Sequence, residues 1–257
     1  MTSASPLLND RIALVTGATH GIGRAIALGL AAAGAQVIAT GRTQGALESL
    51  DDEIRAAGGA RPTLVPLDLR DGDGIDQLGA HIFERWKRLD ILVDAAGVLG
   101  VLTPVAHLDV KVWDETIAVN LTAKYRLIRS MDPLLRASEA GRAVFLSSGA
   151  ASRPRAFWGV YSASKAGAQA LAQCYADETE HTALRVAIVN PGPMRTRMRA
   201  QAFPGEDPET LPAPEEIVPL ILELVGPDAA PGKDVIVFRD WKAERDGAAV
   251  ASGAHPA

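Results

Sequence analysis

The chain carries one cysteine, Cys174, among 257 residues. A single thiol excludes an intrachain disulfide and any metal site built from clustered cysteines, and its expected place is a small, buried apolar position. No metal site is expected. Long basic runs are also missing: 26 Lys and Arg are scattered among 31 Asp and Glu, for a net charge of −5. That balance argues against a nucleic-acid groove and against attraction to an anionic membrane surface. The alanine-rich "IALGLAAAGAQVIA" is broken by Gly29 and Gly34 and is too short to span a bilayer as one helix. The opening "MTSASPLLNDR" lacks the positive and apolar regions of a secretion signal, so the expected location is cytoplasmic. No internal repeat is visible.

What is present is a regular alternation. "RIALVTG", "AQVIATG", "PTLVPLD", "LDILVDAAG", "GRAVFLSSG", "LRVAIVNPG" and "DVIVF" read as seven strands, and each of the first six has a Gly or Asp just past its end. Residues 21–34, 43–58, 71–88, 109–137 and 160–182 carry helical spacing between them. Near-continuous apolar strands imply burial on both faces, and the alternation implies parallel crossovers. The expected fold is one doubly wound α/β domain over residues 1–257, with a seven-stranded, mostly parallel sheet and helices on both faces. Ligands of such sheets bind at the carboxyl ends of the strands. Two segments break the rhythm. Residues 192–214, with five prolines after Pro191, are expected to form a lid. From about residue 246 a mobile tail is expected.

Two motifs carry chemistry. "LVTGATHGIGRAIALGL" places Gly17, Gly21 and Gly23 between the first strand and the first helix, where small residues allow close backbone approach and helix N–H groups face an anion. This is the context a dinucleotide site requires in a Rossmann fold. In "VYSASKAG", Tyr161 precedes Lys165 by four residues, which puts phenol and ammonium on one helix face. A neighbouring ammonium favours the phenolate, so Lys165 is expected to pull the Tyr161 pKa down.

With these motifs the chain resembles the short-chain dehydrogenase/reductase family in its single-domain form of roughly 250 residues. The family's TGxxxGxG is matched by Thr16, Gly17, Gly21 and Gly23, and its YxxxK by Tyr161 and Lys165. The serine of "FLSSG" is Ser148, the asparagine of "AVNLTA" is Asn120, and PGxxxT is matched by Pro191, Gly192 and Thr196. The resemblance runs from residue 12 to about 200. It implies a carbonyl–alcohol oxidoreductase with Tyr161 as acid and base and Ser148 holding the substrate oxygen. Lys165 would tune Tyr161 and hold the nicotinamide ribose, and Asn120 would brace a water. It further implies cofactor contacts at Gly17, Thr19, His20, Gly21, Ile22, Gly23, Arg42, Thr43, Asp68, Leu69, Ala95, Ala96, Gly97, Pro191, Gly192 and Thr196, besides Tyr161 and Lys165. Asp68 has a second reading as a helix N-cap. The long helices 109–137 and 160–182 resemble those that pair in family dimers and tetramers, so a homo-oligomer is expected.

The sequence departs from the family at two places. Its NNAG or NAAG segment reads "DAAG" here, so Asp94 replaces an amide with an acceptor-only group, and the effect expected is on local rigidity. The carboxy-terminal "GKDVIVFRDWKAERDG" differs from the family's glycine-rich end, which puts its subunit contacts in question.

Cofactor choice lies at the end of the second strand, where a carboxylate bonds the ribose 2′-hydroxyl of NAD. Gly41 stands there, followed by Arg42, whose guanidinium suits a phosphate, and His20 adds a second basic group. NADP(H) is therefore the expected cofactor and NAD(H) the alternative, as for an NAD-dependent alcohol dehydrogenase of the same family. A catalytically silent nicotinamide sensor would lack the Tyr–Lys pair, and a methyltransferase would lack the combination of both motifs. The resemblance implies a small carbonyl or alcohol as the substrate. Leu99–Pro104, Pro154–Trp158 and the segment after Gly192 are expected around it, with Phe157, Trp158, Met194 and Met198 as an apolar wall. Arg195, Arg197 and Arg199 are candidates to meet an anionic substrate.

Overall fold

All seven apolar runs are strands in the computed structural model, which describes residues 7–252. They are β1 (Ile12–Thr16), β2 (Gln36–Gly41), β3 (Thr63–Pro66), β4 (Ile91–Asp94), β5 (Arg142–Leu146), β6 (Arg185–Asn190) and β7 (Val235–Val237). The sheet order is β3-β2-β1-β4-β5-β6-β7, and every pair is parallel. Each strand therefore needs a crossover, and helices α1 (Gly21–Ala32), α2 (Gln44–Ala56), α3 (Gly72–Trp86), α4 (Val110–Ile117), α5 (Ala123–Arg136), α6 (Gly149–Ser152), α7 (Gly159–Thr179), α8 (Arg197–Ala202), α9 (Val218–Val225) and α10 (Phe238–Ser252) lie along the chain.

The strand period of two divides the core into layers. Ala13 and Val15 of β1 pack with Leu30, Leu50 and Ile221 on one face, whereas Ile12 and Leu14 pack with Ile82, Leu134 and Tyr175 on the other. Strand order reverses between β1 and β4. The loops after these two strands open the crevice where such sheets take ligands.

Several elements differ from the sequence expectation. The helical run 109–137 is split by a π-helical turn at Ala118–Thr122, where the Ala123 N–H reaches the Ala118 carbonyl. Residues 192–214 are not featureless, since they hold α8 and a 3-10 turn at Pro208–Thr210. The segment after β7 is the helix α10 rather than irregular chain. Phe238 is buried there, Trp241 stacks on it at 5.9 Å, and Arg245 pairs with Glu223 at 2.9 Å. Residues 253–257 of the expected tail lie outside the described residues.

Cys174 is exposed rather than buried. The sheet-facing side of α7 is occupied by Ala168, Ala172, Tyr175, Ala176 and Thr179, and helical spacing turns position 174 away from that stripe.

Candidate functional site

The loop after β1 is built for close backbone approach. A Cβ on Gly23 would collide with the Gly17 carbonyl, so the first turn of α1 fits under the loop only as glycine. His20 heads α1 without a side-chain cap, which leaves the first-turn N–H groups facing the crevice.

A groove of about 560 Å³ follows this loop. Gly17, Thr19, His20, Gly21, Ile22 and Gly23 form its floor, and Arg42, Asp68 and Leu69 form one end. Ala95, Ala96, Gly97 and Thr196 line the remainder. Asp68 is not the N-cap of α3: Asp71 takes that place, accepting from the Gly74 N–H at 2.9 Å. Asp68 instead pairs with Arg70 at 2.6 Å, and hydrogen bonding from Arg70 holds its carboxyl below the usual range. Thr43 heads α2 with no side-chain cap bond and lies outside the groove lining.

The charge at the Arg42 end differs from the expected pairing of Arg42 with a cationic His20. Burial first, then the nearby Arg197, Arg24 and Arg42, push the His20 imidazole below its ordinary value, so it is neutral near pH 7. Its Nδ1 lies 2.8 Å from the Thr19 hydroxyl. Arg24 is engaged by Glu53. Arg42 and Arg197 have no acidic partner among the described residues and both line the groove. Arg197 was hidden in the run of lid arginines; its place directly after Thr196 is the signal that puts it beside the groove. Gly41 has a packing reason as well, since a Cβ there would collide with the Thr19 side chain.

A second cavity, also about 560 Å³, shares Ile22, Leu99, Thr196 and Met198 with the groove. Ser148, Tyr161, Pro191 and Gly192 line it, with Trp158, Met194, Met198 and Phe203 as its apolar part. Trp158 stands edge-on to Tyr161 at 5.7 Å and lies against Phe203 at 5.7 Å. Phe157, expected in this wall, is exposed in a left-handed conformation (φ 72°) and does not line it, and neither do residues 101–104. Phe203 of the lid segment takes the aromatic place. Arg239 and Asp240, at the start of α10, reach the same cavity.

Around Tyr161 the side chains are held tightly. Ser148 caps α6, accepting from the Ala150 N–H at 3.2 Å, while its neighbour Ser147 donates to Gln169 at 2.6 Å. Burial pushes the Tyr161 phenol up, and the Ser148 hydroxyl works against that. The lowering expected from Lys165 does not emerge. Burial weakens the Lys165 ammonium itself, with Asp94 opposing, and its Nζ donates to the Leu146 carbonyl at 3.1 Å. Lys165 sits behind Gly97, outside the lining of both cavities. Asn120 is buried in the π-turn. It accepts from the Val98 N–H at 2.8 Å and donates to the Val98 carbonyl at 2.9 Å and the Ser164 hydroxyl at 3.0 Å. Both its N–H groups are thus spent within the protein, leaving only a second lone pair on Oδ1 for a water.

Asp94 replaces the missing amide in its own way. It accepts from the Thr16 hydroxyl at 2.7 Å, and Thr16 in turn accepts from the Ala96 N–H at 3.1 Å. Its other oxygen pairs with Lys124 of α5, and both side chains are buried. Burial disfavours the Asp94 carboxylate, but the charges and hydrogen bonds of Lys124, Thr16 and Lys165 outweigh it and hold the group ionised. Lys124 was not singled out from the sequence, although an isolated Lys four residues after Asn120 on an otherwise core-facing stripe was the available sign.

The short chain dehydrogenase family model matches residues 11–207. The uncharacterized oxidoreductase YciK of Escherichia coli K12 is 42% identical over 225 residues, covering 87% of this chain and 89% of YciK. A short chain dehydrogenase of Shigella flexneri 2a complexed with NADP superposes with a TM-score of 0.88 at 39% identity, covering 92% of this chain and 100% of that one. Its counterpart from Escherichia coli CFT073, complexed with NADPH, gives 0.86 at 39% identity over 92% and 99%. The parallel sheet, the glycine loop at its switch point and these relatives agree: this chain is an oxidoreductase of the short-chain dehydrogenase/reductase family.

Proposed function

We propose that the protein interconverts a carbonyl and an alcohol with NADP(H), using Tyr161 as acid and base. The observation that carries this reading is the joining of two cavities. One holds the Tyr161 and Ser148 side chains, the other runs along the glycine loop to Arg42, and they meet at Ile22, Leu99, Thr196 and Met198. The glycine floor and uncapped first turn of α1 fit a pyrophosphate, and Arg42 and Arg197 fit a further phosphate. When bound, the nicotinamide supplies or takes up a hydride at the substrate carbon. As negative charge develops on the carbonyl oxygen, the Tyr161 hydroxyl delivers a proton to it and Ser148 donates a hydrogen bond. Lys165 restores the proton balance of Tyr161 from behind Gly97, and Asn120 holds the Gly97–Val98 backbone against α7. Thr196, which lines both cavities, would hold the carboxamide end. Residues 192–214 act as a lid, with Met194, Met198 and Phe203 keeping water from the reacting atoms.

Cofactor choice tests the Arg42 end. Arg42→Ala is expected to weaken NADPH by about 10- to 100-fold, the loss of one charged hydrogen-bonding partner, while NADH is little affected. Calorimetric titration with both cofactors decides it, and an unchanged preference for NADPH would overturn the assignment.

The fold also points to self-association. Val110 and Trp113 of α4 and Tyr125 of α5 are exposed, 73%, 40% and 51% respectively, on the helices that resemble family subunit contacts. Light scattering of the Trp113→Glu variant is expected to show a smaller particle than the parent protein; equal masses would place the contact elsewhere.

No helix among the described residues is long and apolar enough to cross a membrane.

A further inference from the structure

Four arginines, 153, 155, 199 and 239, line the cavity that holds Tyr161. Two are neutralised. Arg199 forms a two-pronged pair with Glu206 at 2.5 and 2.6 Å and lies over the Phe203 ring at 3.8 Å. Arg239 pairs with Asp240 at 3.2 Å. Arg153 and Arg155, on the connection between α6 and α7, have no acidic partner and no side-chain hydrogen bond among the described residues. The lid arginines considered from the sequence do not supply this charge: Arg195 pairs with Glu209 at 2.6 Å, and Arg197 faces the groove. The cavity thus has an aromatic wall, Trp158 and Phe203, and a separate pair of uncompensated guanidinium groups on the same chain segment as Trp158.

Resting on the reductase reading above, we infer that the substrate is an amphiphilic carbonyl compound with an apolar, ring-sized body and an oxyanion, carboxylate or phosphate monoester, that Arg153 and Arg155 receive. A planar fork of N–H donors matches either oxyanion by paired hydrogen bonds. Both guanidinium groups are solvent-exposed, so a neutral ketone would gain nothing from them, whereas an oxyanion would gain charge-assisted paired bonds and an extended cationic substrate would be repelled. The acidic overall charge of the protein, −5, makes this local positive site a departure from its surroundings rather than a property of the whole surface.

The test uses the full chain. NADPH is titrated first, and failure to bind would strike the cofactor reading alone. With NADPH saturating, so that the groove and Arg42 are occupied, 4-phenylbutanoate, 3-phenylpropyl phosphate and 4-phenylbutanamide are titrated in turn. At least one anion is expected to bind tenfold or more tightly than the amide, and which anion is tighter identifies the oxyanion. The double variant Arg153→Gln/Arg155→Gln is expected to lose that preference while still binding NADPH, which reports an intact fold. No anion preference in the parent protein, including no binding of any of the three, or a preference that survives in the double variant, would overturn the inference.

Discussion

Tyr161→Phe is expected to lower turnover with NADPH by about a thousandfold, within the range of 10²- to 10⁴-fold that a positioned acid or base contributes. The substitution removes one oxygen and little else. Tyr161 is 7% exposed, its ring packs edge-on against Trp158, and a phenylalanine ring keeps that contact. Cofactor affinity is therefore expected to change by less than about threefold, because the groove from Gly17 to Arg42 is formed by other residues. The loss falls on kcat, where an interaction made with the developing oxyanion is felt. Ser148 remains and can still donate a hydrogen bond to the oxygen, but a serine hydroxyl is a far weaker acid than a phenol and does not give up its proton. Single-turnover measurement of NADPH oxidation separates the two effects. Activity within about tenfold of the parent enzyme would show that another group transfers the proton.

How far the sequence foretold this site depends on which interactions set each position. The strands were legible because burial on both faces writes itself as unbroken apolar runs, as in the fully buried β1, β4 and β5. The glycine loop was legible because local geometry dictates its spacing, whereas the expected coupling of Tyr161 to Lys165 was not, because burial dominates both groups. The π-turn at Ala118–Thr122 was not, since it follows from where the Asn120 side chain meets Val98 and Ser164, two contacts remote in sequence. The helix α9, "VPLILELV", is apolar on nearly every side and has no helical periodicity to read, whereas α10 is charged around much of its circumference and is held by Phe238, Trp241 and Glu223. The charge state of His20 was missed for a related reason. A basic residue beside Gly21 reads as a cation until folding partly buries it and then brings Arg197, from a distant part of the chain, next to it. The free arginines of the substrate-side cavity were likewise hidden by their partners: Glu209 and Glu206 pair with Arg195 and Arg199 of the three lid arginines, and Arg153 and Arg155 have no acid among the described residues.

The second large effect is expected from the departure at Asp94. Removing its charge in Asp94→Asn leaves Lys124 buried, 3% exposed, with a neutral acceptor in place of a carboxylate. Breaking a buried ion pair from one side costs about 3–5 kcal/mol, and the remaining amide oxygen favours the lower end of that range. The bond from Thr16 to position 94 also depends on which way the new amide turns, so the link between β1 and β4 at the crevice loosens. Replacing both partners removes the orphaned charge: Asp94→Asn/Lys124→Met restores an amide at position 94 and an apolar chain beside Phe145, and is expected to recover most of the loss. Chemical unfolding of the two single variants and the double variant measures the coupling. The pH dependence carries the same signature. Because the folded-state pKa of Asp94 lies below its unfolded value, its contribution is present above about pH 4, the unfolded pKa, and disappears as pH falls through the lower folded value. The variants without Asp94 are expected to lack that part of the acid limb. A cost below about 1 kcal/mol for Asp94→Asn, with no recovery in the double variant, would mean that the pair does not hold the crevice together. Recovery of stability without recovery of turnover would assign Asp94 a second duty, through its charge on Lys165, which Asp94 raises against the effect of burial. The residue that departs from the family would then act on Lys165, the ammonium proposed to restore the proton of Tyr161.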